Sequence, residues 1–266
     1  MTRALAVVLV ALALAGAAPA AGTPPLRVCA DPNNLPFSNA RGEGFENRLA
    51  ELLAGELGAR VQYTWWAQRR GFVRNTLGAG ACDVVLGVPA GWDPVLATRP
   101  YYRSTYVFAW RRDRALDVHS LDDPRLRTLR VGVQLVGDNG INTPPAHALA
   151  RRGIVDNVRG YSVYGDYAGP HPTAAILDAL VAGDIDVAVV WGPLAGFFAS
   201  RLGAPLDWAP VTPESEPPLR FTFAIAVGVR RDDVALRARL QAALDRRAAA
   251  VRAILDAYAV PRAEQP

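Results

Sequence analysis

The chain has 266 residues, 51% of them apolar, and a formal charge of +4 in which every base is an arginine. That apolar share is ample for a core, and a mild charge with no dense basic run argues against a nucleic-acid-binding surface. Two cysteines and three scattered histidines (His119, His147 and His171) argue against a haem-attachment site or a zinc centre.

Met1-Thr2-Arg3 precedes an apolar run from residue 4 to 15, and Ala18-Pro19-Ala20 supplies a small-x-small cleavage site. This is the layout of a cleavable signal peptide over residues 1–20, since the run falls short of the roughly 20 residues a spanning helix needs. The mature chain is expected to be periplasmic, with no membrane insertion, because nothing later is apolar for long enough.

Residues 26–30 read as a short strand, and Asp31-Pro32-Asn33-Asn34-Leu35-Pro36 as a turn-rich loop. Phe45, Leu49, Leu52, Leu53 and Leu57 recur at helical spacing, with Gly58 where a C-terminal cap belongs. A strand over 60–66 and a short helix over 72–77, closed by Gly78 and Gly80, come next. The strand over 83–88 is apolar without alternation, the mark of burial on both faces in a parallel sheet. Residues 105–110 favour a strand and lead into the charged turn Arg111-Arg112-Asp113-Arg114.

A second set of the same kind follows. A strand over 129–133 precedes a helix capped by Asn142 or Thr143 and opened by Pro144 and Pro145. Then come a strand over 158–164, a helix over 174–182, a buried strand over 185–190 and a helix from Pro193. The proline-rich stretch 210–218 reads as a linker, and 221–229 as one more strand. Asp232 and Asp233 offer caps for one long helix reaching Tyr258, striped by Leu236, Leu240, Leu244, Val251 and Leu255.

Strands alternating with helices imply an α/β protein with open sheets. The expected form has two lobes: lobe 1 from 26–109 and 222–266, lobe 2 from 110–221. Each is an open mixed sheet flanked by helices, and the crossing strands near 106–110 and 221–225 form a two-segment hinge. Ligands in such a shape bind in the crevice at the carboxyl ends of the strands. Cys29 and Cys82 are either a disulfide, which export and an even count favour, or two small buried apolar residues.

Asp31 through Gly58, with Pro36-Phe37 and Gly44-Phe45, resembles the start of the family 3 extracellular solute-binding proteins. Arg99-Pro100-Tyr101-Tyr102 resembles their approach to the hinge, and Gly183-Asp184-Ile185-Asp186-Val187 their second-lobe strand. The likeness runs from Leu26 to Tyr258 and implies the type II periplasmic-binding-protein fold. Three further segments resemble the narrower MxaJ/XoxJ-type group: residues 68–77, beginning Gln68-Arg69-Arg70-Gly71-Phe72; Asn142-Thr143-Pro144-Pro145-Ala146-His147; and Val190-Trp191-Gly192-Pro193-Leu194-Ala195-Gly196. That resemblance implies a partner: a pyrroloquinoline-quinone (PQQ)-dependent methanol or alcohol dehydrogenase, with its c-type cytochrome. The implied role is non-enzymatic support by activation, maturation or assembly, with no cofactor or metal of the chain's own. Nothing repeats as propeller blades would, so the chain is not the quinoprotein itself.

Amino-acid receptors of the wider family hold the ligand carboxylate with an arginine just after the third strand. Here residues 88–95 contain none. The same receptors hold the ligand amine with an aspartate at the end of the second-lobe strand, and the matching position is Trp191. Each missing partner costs about 3–5 kcal/mol, or two to three and a half decades of affinity.

The cleft is expected to draw instead on Asn34, Phe37, Trp66, Gln68, Arg69, Pro89, Asp138, Asn139, Tyr164 and Trp191, at the ends of strands. Aromatic planes with few charges suit a small flat or apolar molecule or a peptide segment; Trp66 and Trp191 could equally fill an empty cleft. Arg69, Arg70 and Arg74 oppose the dipole of the helix they open, which suits either a partner's carboxylate or plain surface. Gly137-Asp138-Asn139-Gly140 suits either an anion or only a turn. Tyr161, Tyr164 and Tyr167 recur every third residue, the last two in a loop. A receptor feeding an importer with a small non-amino-acid solute is the alternative. An enzyme is not expected: Glu46 and Asp166 are the acids nearest a cleft, and Glu46 suits the helix dipole.

Overall fold

The computed structural model describes residues 23–137, 142–199, 201–203 and 205–263. The expected signal peptide over 1–20 and the candidates Asp138 and Asn139 lie outside the described residues.

The chain builds β1 (Pro25–Ala30), the short pair β2 (Asn33–Asn34) and β3 (Ser38–Asn39), α1 (Phe45–Glu56), β4 (Arg60–Trp65), α2 (Phe72–Asn75), β5 (Val84–Pro89), β6 (Leu96–Ala97) and the long β7 (Tyr102–Arg111). Next come β8 (Val131–Leu135), α3 (Pro144–Arg151), β9 (Val158–Ser162), α4 (Ala175–Ala182), β10 (Val187–Trp191), α5 (Gly192–Ala199) and β11 (Leu206–Pro210). β12 (Ser215–Glu216), β13 (Leu219–Arg220), β14 (Thr222–Val229), α6 (Val234–Arg246) and α7 (Ala248–Ala257) complete the elements.

Two parallel units share one strand order, β4-β1-β5 and β9-β8-β10. In each, the first strand is central and helical crossovers lead to its neighbours. Each unit is bordered by an antiparallel strand, β14 beside β5 and β7 beside β10. β7 and β14 also pair with each other, Thr222 opposite Thr105 and Ile225 opposite Tyr102. From Tyr106 onward β7 pairs instead with β10 and β11. The chain thus leaves one sheet along β7 and returns along β14 in a two-lobed α/β fold; the shared ladder joins 102–105 to 222–225, so the first crossing segment lies before the expected 106–110, which pairs within the second sheet. A buried hydrogen bond from the Thr222 hydroxyl to that of Thr105 (3.0 Å) ties the segments together.

Periodicity explains the packing. Phe45, Leu49 and Leu53 of α1, spaced by four, are 0–1% exposed against Leu26, Val28, Val84 and Leu86 of the sheet. Around β10, Ile176, Leu177 and Leu180 of α4 pack with Val107, Ala188 and Val190. Cys29 and Cys82 are joined in a disulfide with Cα atoms 5.5 Å apart, among Phe72, Leu77, Val85 and Ala226.

Two expectations about local structure are corrected. The long helix from Asp233 is two helices broken at Arg247 (φ −103°, ψ 17°). The break brings both apolar stripes, Leu240 with Leu244 and Val251 with Leu255, onto the core shared with α1. Asp233 does cap α6, accepting from the Leu236 N–H (3.0 Å). The expected linker is also partly structured. β11 ends inside it at Pro210, where proline is tolerated on an edge strand, and β12 and β13 form a hairpin after it.

Candidate functional site

A cavity of about 420 Å³ opens where β1, β5, β8 and β10 end, within the usual size range of ligand pockets. Its first wall is the loop after β1. Asp31, 5% exposed, accepts at Oδ1 from the Asn33 N–H (2.8 Å) and the Tyr167 hydroxyl (2.7 Å), and at Oδ2 from the Gln68 N–H (2.6 Å). The first of these is an Asx turn, the local geometry that an aspartate after a strand favours. Burial, and then the bond to Asp31, push the Tyr167 hydroxyl pKa up.

Further contacts tie the same loop to the segment between β9 and α4. Asn33 Nδ2 donates to the carbonyls of Tyr167 (3.2 Å) and Gly169 (3.0 Å), and the Thr173 hydroxyl donates to the Leu35 carbonyl (2.7 Å). The Arg69 guanidinium lies 5.1 Å from the Tyr167 ring centre and 5.5 Å from that of Tyr164, within cation–π range of both. Asn34 Nδ2 donates to Gln68 Oε1 (3.0 Å).

The opposite wall is aromatic. The Trp191 ring meets Tyr106 edge-on at 5.3 Å and Phe223 at 5.9 Å, and its backbone N–H donates to Gln134 Oε1 (3.0 Å). Phe37 packs edge-on against Phe45 at 5.4 Å.

Glu46, in the first turn of α1, is 9% exposed and lies on the cavity wall. Burial, reinforced by the charge of Asp31, pushes its carboxyl up to about 8. Gly87 makes room for it. A Cβ at Gly87 would fall inside contact distance of Glu46 Oε1, and φ there is +72°. Gly87→Ala is expected to displace the carboxyl and cost about 1–3 kcal/mol in denaturant unfolding.

Of the candidates, Asn34, Phe37, Gln68, Pro89, Tyr164 and Trp191 line the cavity. Arg69 stands beside it against Tyr164 and Tyr167. Trp66, 48% exposed, and the exposed Arg70 do not line it, nor does Asp166. Sequence reasoning missed Asp31, Tyr106, Gln134 and Phe223 as lining residues. Gln134 had one usable signal: it is the one polar residue in the run Val131–Leu135. Glu46, named with Asp166 as an acid nearest the cleft and read chiefly as a helix-dipole partner, does line the cavity.

Among the described residues no group of three His, Cys, Asp or Glu could hold a metal ion, and no helix is long and apolar enough to cross a membrane. Residues 88–95 contain no arginine, and β10 ends on Trp191.

No protein-family model matches the chain. It is 34% identical over 258 residues to Protein MoxJ of Methylorubrum extorquens, covering 92% of this chain and 83% of that one. Among solved structures, the periplasmic binding protein XoxJ from Methylobacterium extorquens AM1 is 36% identical with a TM-score of 0.75, over 90% of this chain and all of that one. MxaJ from Methlophaga aminisulfidivorans MPT is 25% identical with a TM-score of 0.77, over the same shares. With this degree of identity over most of both chains, and with the overall fold shared with XoxJ, the chain belongs to the MoxJ family.

Proposed function

We propose that the chain is a periplasmic, non-enzymatic accessory protein of a PQQ-dependent methanol or alcohol dehydrogenase. It assists the activation, maturation or assembly of that enzyme. In this reading residues 26–109 with 222–266 and residues 110–221 are the two lobes, and the contact surface is the cleft rim with Arg69 and Arg70.

The observation that carries the reading is the state of the crevice. It lacks both charge anchors of an amino-acid receptor and is bridged by the chain's own groups, Asp31 to Tyr167, Asn33 to the Gly169 carbonyl and Thr173 to the Leu35 carbonyl. A scaffold that keeps the binding-protein shape without its charge anchors suits docking better than capture of free amino acids. Membership of the MoxJ family supports the same context.

The test is an affinity pull-down with the tagged mature protein in periplasmic extract of the encoding bacterium grown on methanol. Specific recovery of a quinoprotein dehydrogenase or its cytochrome, lost on replacing Arg69 and Arg70 by alanine, is expected. Recovery of neither, with a small molecule tightly held by the bait, favours the second reading, a receptor handing a small non-amino-acid solute to an importer. The about 420 Å³ cavity is the observation that keeps that reading in play. Common α-amino acids titrated into the purified protein are expected to give no binding tighter than about millimolar, because each unpaired charge costs about 3–5 kcal/mol. Micromolar binding of any of them contradicts this.

A further inference from the structure

Two carboxyl groups, Asp31 and Glu46, line the cavity, and among the described residues no arginine or histidine does, in a chain with 29 bases. Asp31 is satisfied by three donors. Glu46 differs: among the described residues its carboxyl meets no hydrogen-bond donor and no cation, although it is 9% exposed. A buried acid without a partner is costly in its charged form. The cavity therefore holds a carboxyl that keeps its proton until a cation answers it, and among the described residues no arginine or histidine that would answer an anion.

The rest of the wall has a matching character. Trp191, Tyr106, Phe223 and Phe37 all line the same space. Aromatic rings attract cations through their quadrupoles, most strongly where water is excluded, and aromatic enclosures are a recurrent way of holding alkylated ammonium groups. Neutral solutes would gain the apolar contact but leave Glu46 unanswered, whereas a cation answers both features at once.

The geometry points to a small organic ammonium ion as the ligand of this cavity, with its charge set against Glu46 and its alkyl groups packed against Trp191, Tyr106, Phe223 and Phe37. This goes beyond the accessory role and stands separately from it. Glu46 is faced by Asp31 after β1, Tyr63 on β4, Tyr101 just before β7 and Tyr102 at its start. Burial keeps the three tyrosines protonated, so the proton that moves when a cation enters is that of Glu46.

The test is calorimetric titration of the mature chain with choline and with its uncharged isostere 3,3-dimethylbutan-1-ol. Choline is expected to bind at least about tenfold more tightly than the alcohol, a difference of about 1.4 kcal/mol or more. Below pH 8 its binding should release up to about one proton, read from the dependence of the heat on buffer, and its affinity should rise as pH approaches 8. Glu46→Gln should remove the proton release and weaken choline at least about tenfold while leaving the alcohol unchanged. Trp191→Ala should weaken choline and keep the proton release, which separates the cage from the counter-charge. Circular dichroism confirms that both variants are folded. Equal binding of alcohol and choline, undiminished choline binding by folded Glu46→Gln, or no choline binding up to about 10 mM each overturns the proposal. None of these results bears on recovery of a dehydrogenase, and a failed pull-down leaves the titration standing.

Discussion

Glu46→Gln is expected to flatten the pH dependence of stability between about pH 4.5 and pH 8. The folded protein raises this carboxyl from an ordinary 4.5 to about 8, through burial and then the charge of Asp31. Over that window the unfolded chain has lost the proton and the folded chain still holds it. Stability therefore falls as pH rises from the ordinary value towards the folded one, and the loss is complete above about 8. A shift of this size corresponds to roughly 3–5 kcal/mol between the two ends of the window. Denaturant unfolding of both proteins at pH values on either side of the window measures it. Groups common to both chains cancel in the difference, so the wild type should lose several kcal/mol more than the variant on going to the alkaline side. Parallel pH profiles would sink the assignment of Glu46 as a buried, unpartnered acid.

Reduction of the Cys29–Cys82 disulfide is the second large effect expected. The bridge closes a loop of 53 residues between β1 and the start of β5. Opening a loop of that length costs about 4 kcal/mol through the unfolded chain's entropy. The folded geometry is expected to hold without the bridge, because Arg27 pairs with Asp83 (2.5 and 2.8 Å) right beside it. Both cysteines are also buried among Phe72, Leu77 and Val85. The reduced protein should therefore remain native at ambient temperature but unfold at markedly lower denaturant. Equal midpoints for the oxidised and reduced forms would mean that the bridge constrains nothing.

The sequence was most legible where one physical rule dominates. The unbroken apolar runs of β5 and β10 marked buried parallel strands, and the spacing of Phe45, Leu49 and Leu53 marked the buried face of α1. It was least legible where tertiary packing decides. No proline or glycine marks the break at Arg247, which exists so that two helical stripes can reach one core. β11 was hidden because its burial is uneven and it ends on a proline. The cavity was readable at residues that end strands, such as Asn34, Pro89 and Trp191. It was not readable at Tyr106 and Phe223, which sit in the hinge strands, where aromatic residues read equally well as core. Glu46 shows the deeper reason. A helix-start acid reads as a dipole partner on local grounds, and only the bare backbone of Gly87, 41 positions along the chain, shows that its carboxyl is buried on a cavity wall.

Dehydrogenase activity in a deletion strain tests the proposed function most directly. The gene is removed in frame from the encoding bacterium, and PQQ-dependent methanol dehydrogenase activity is measured in periplasmic extract, with and without the wild-type gene restored. An accessory protein predicts a fall in activity of about tenfold or more, recovered on complementation, with the dehydrogenase polypeptide still exported. Full activity in the deletion strain, together with a growth defect relieved only by supplying one small solute, would contradict the accessory role and assign the chain to import.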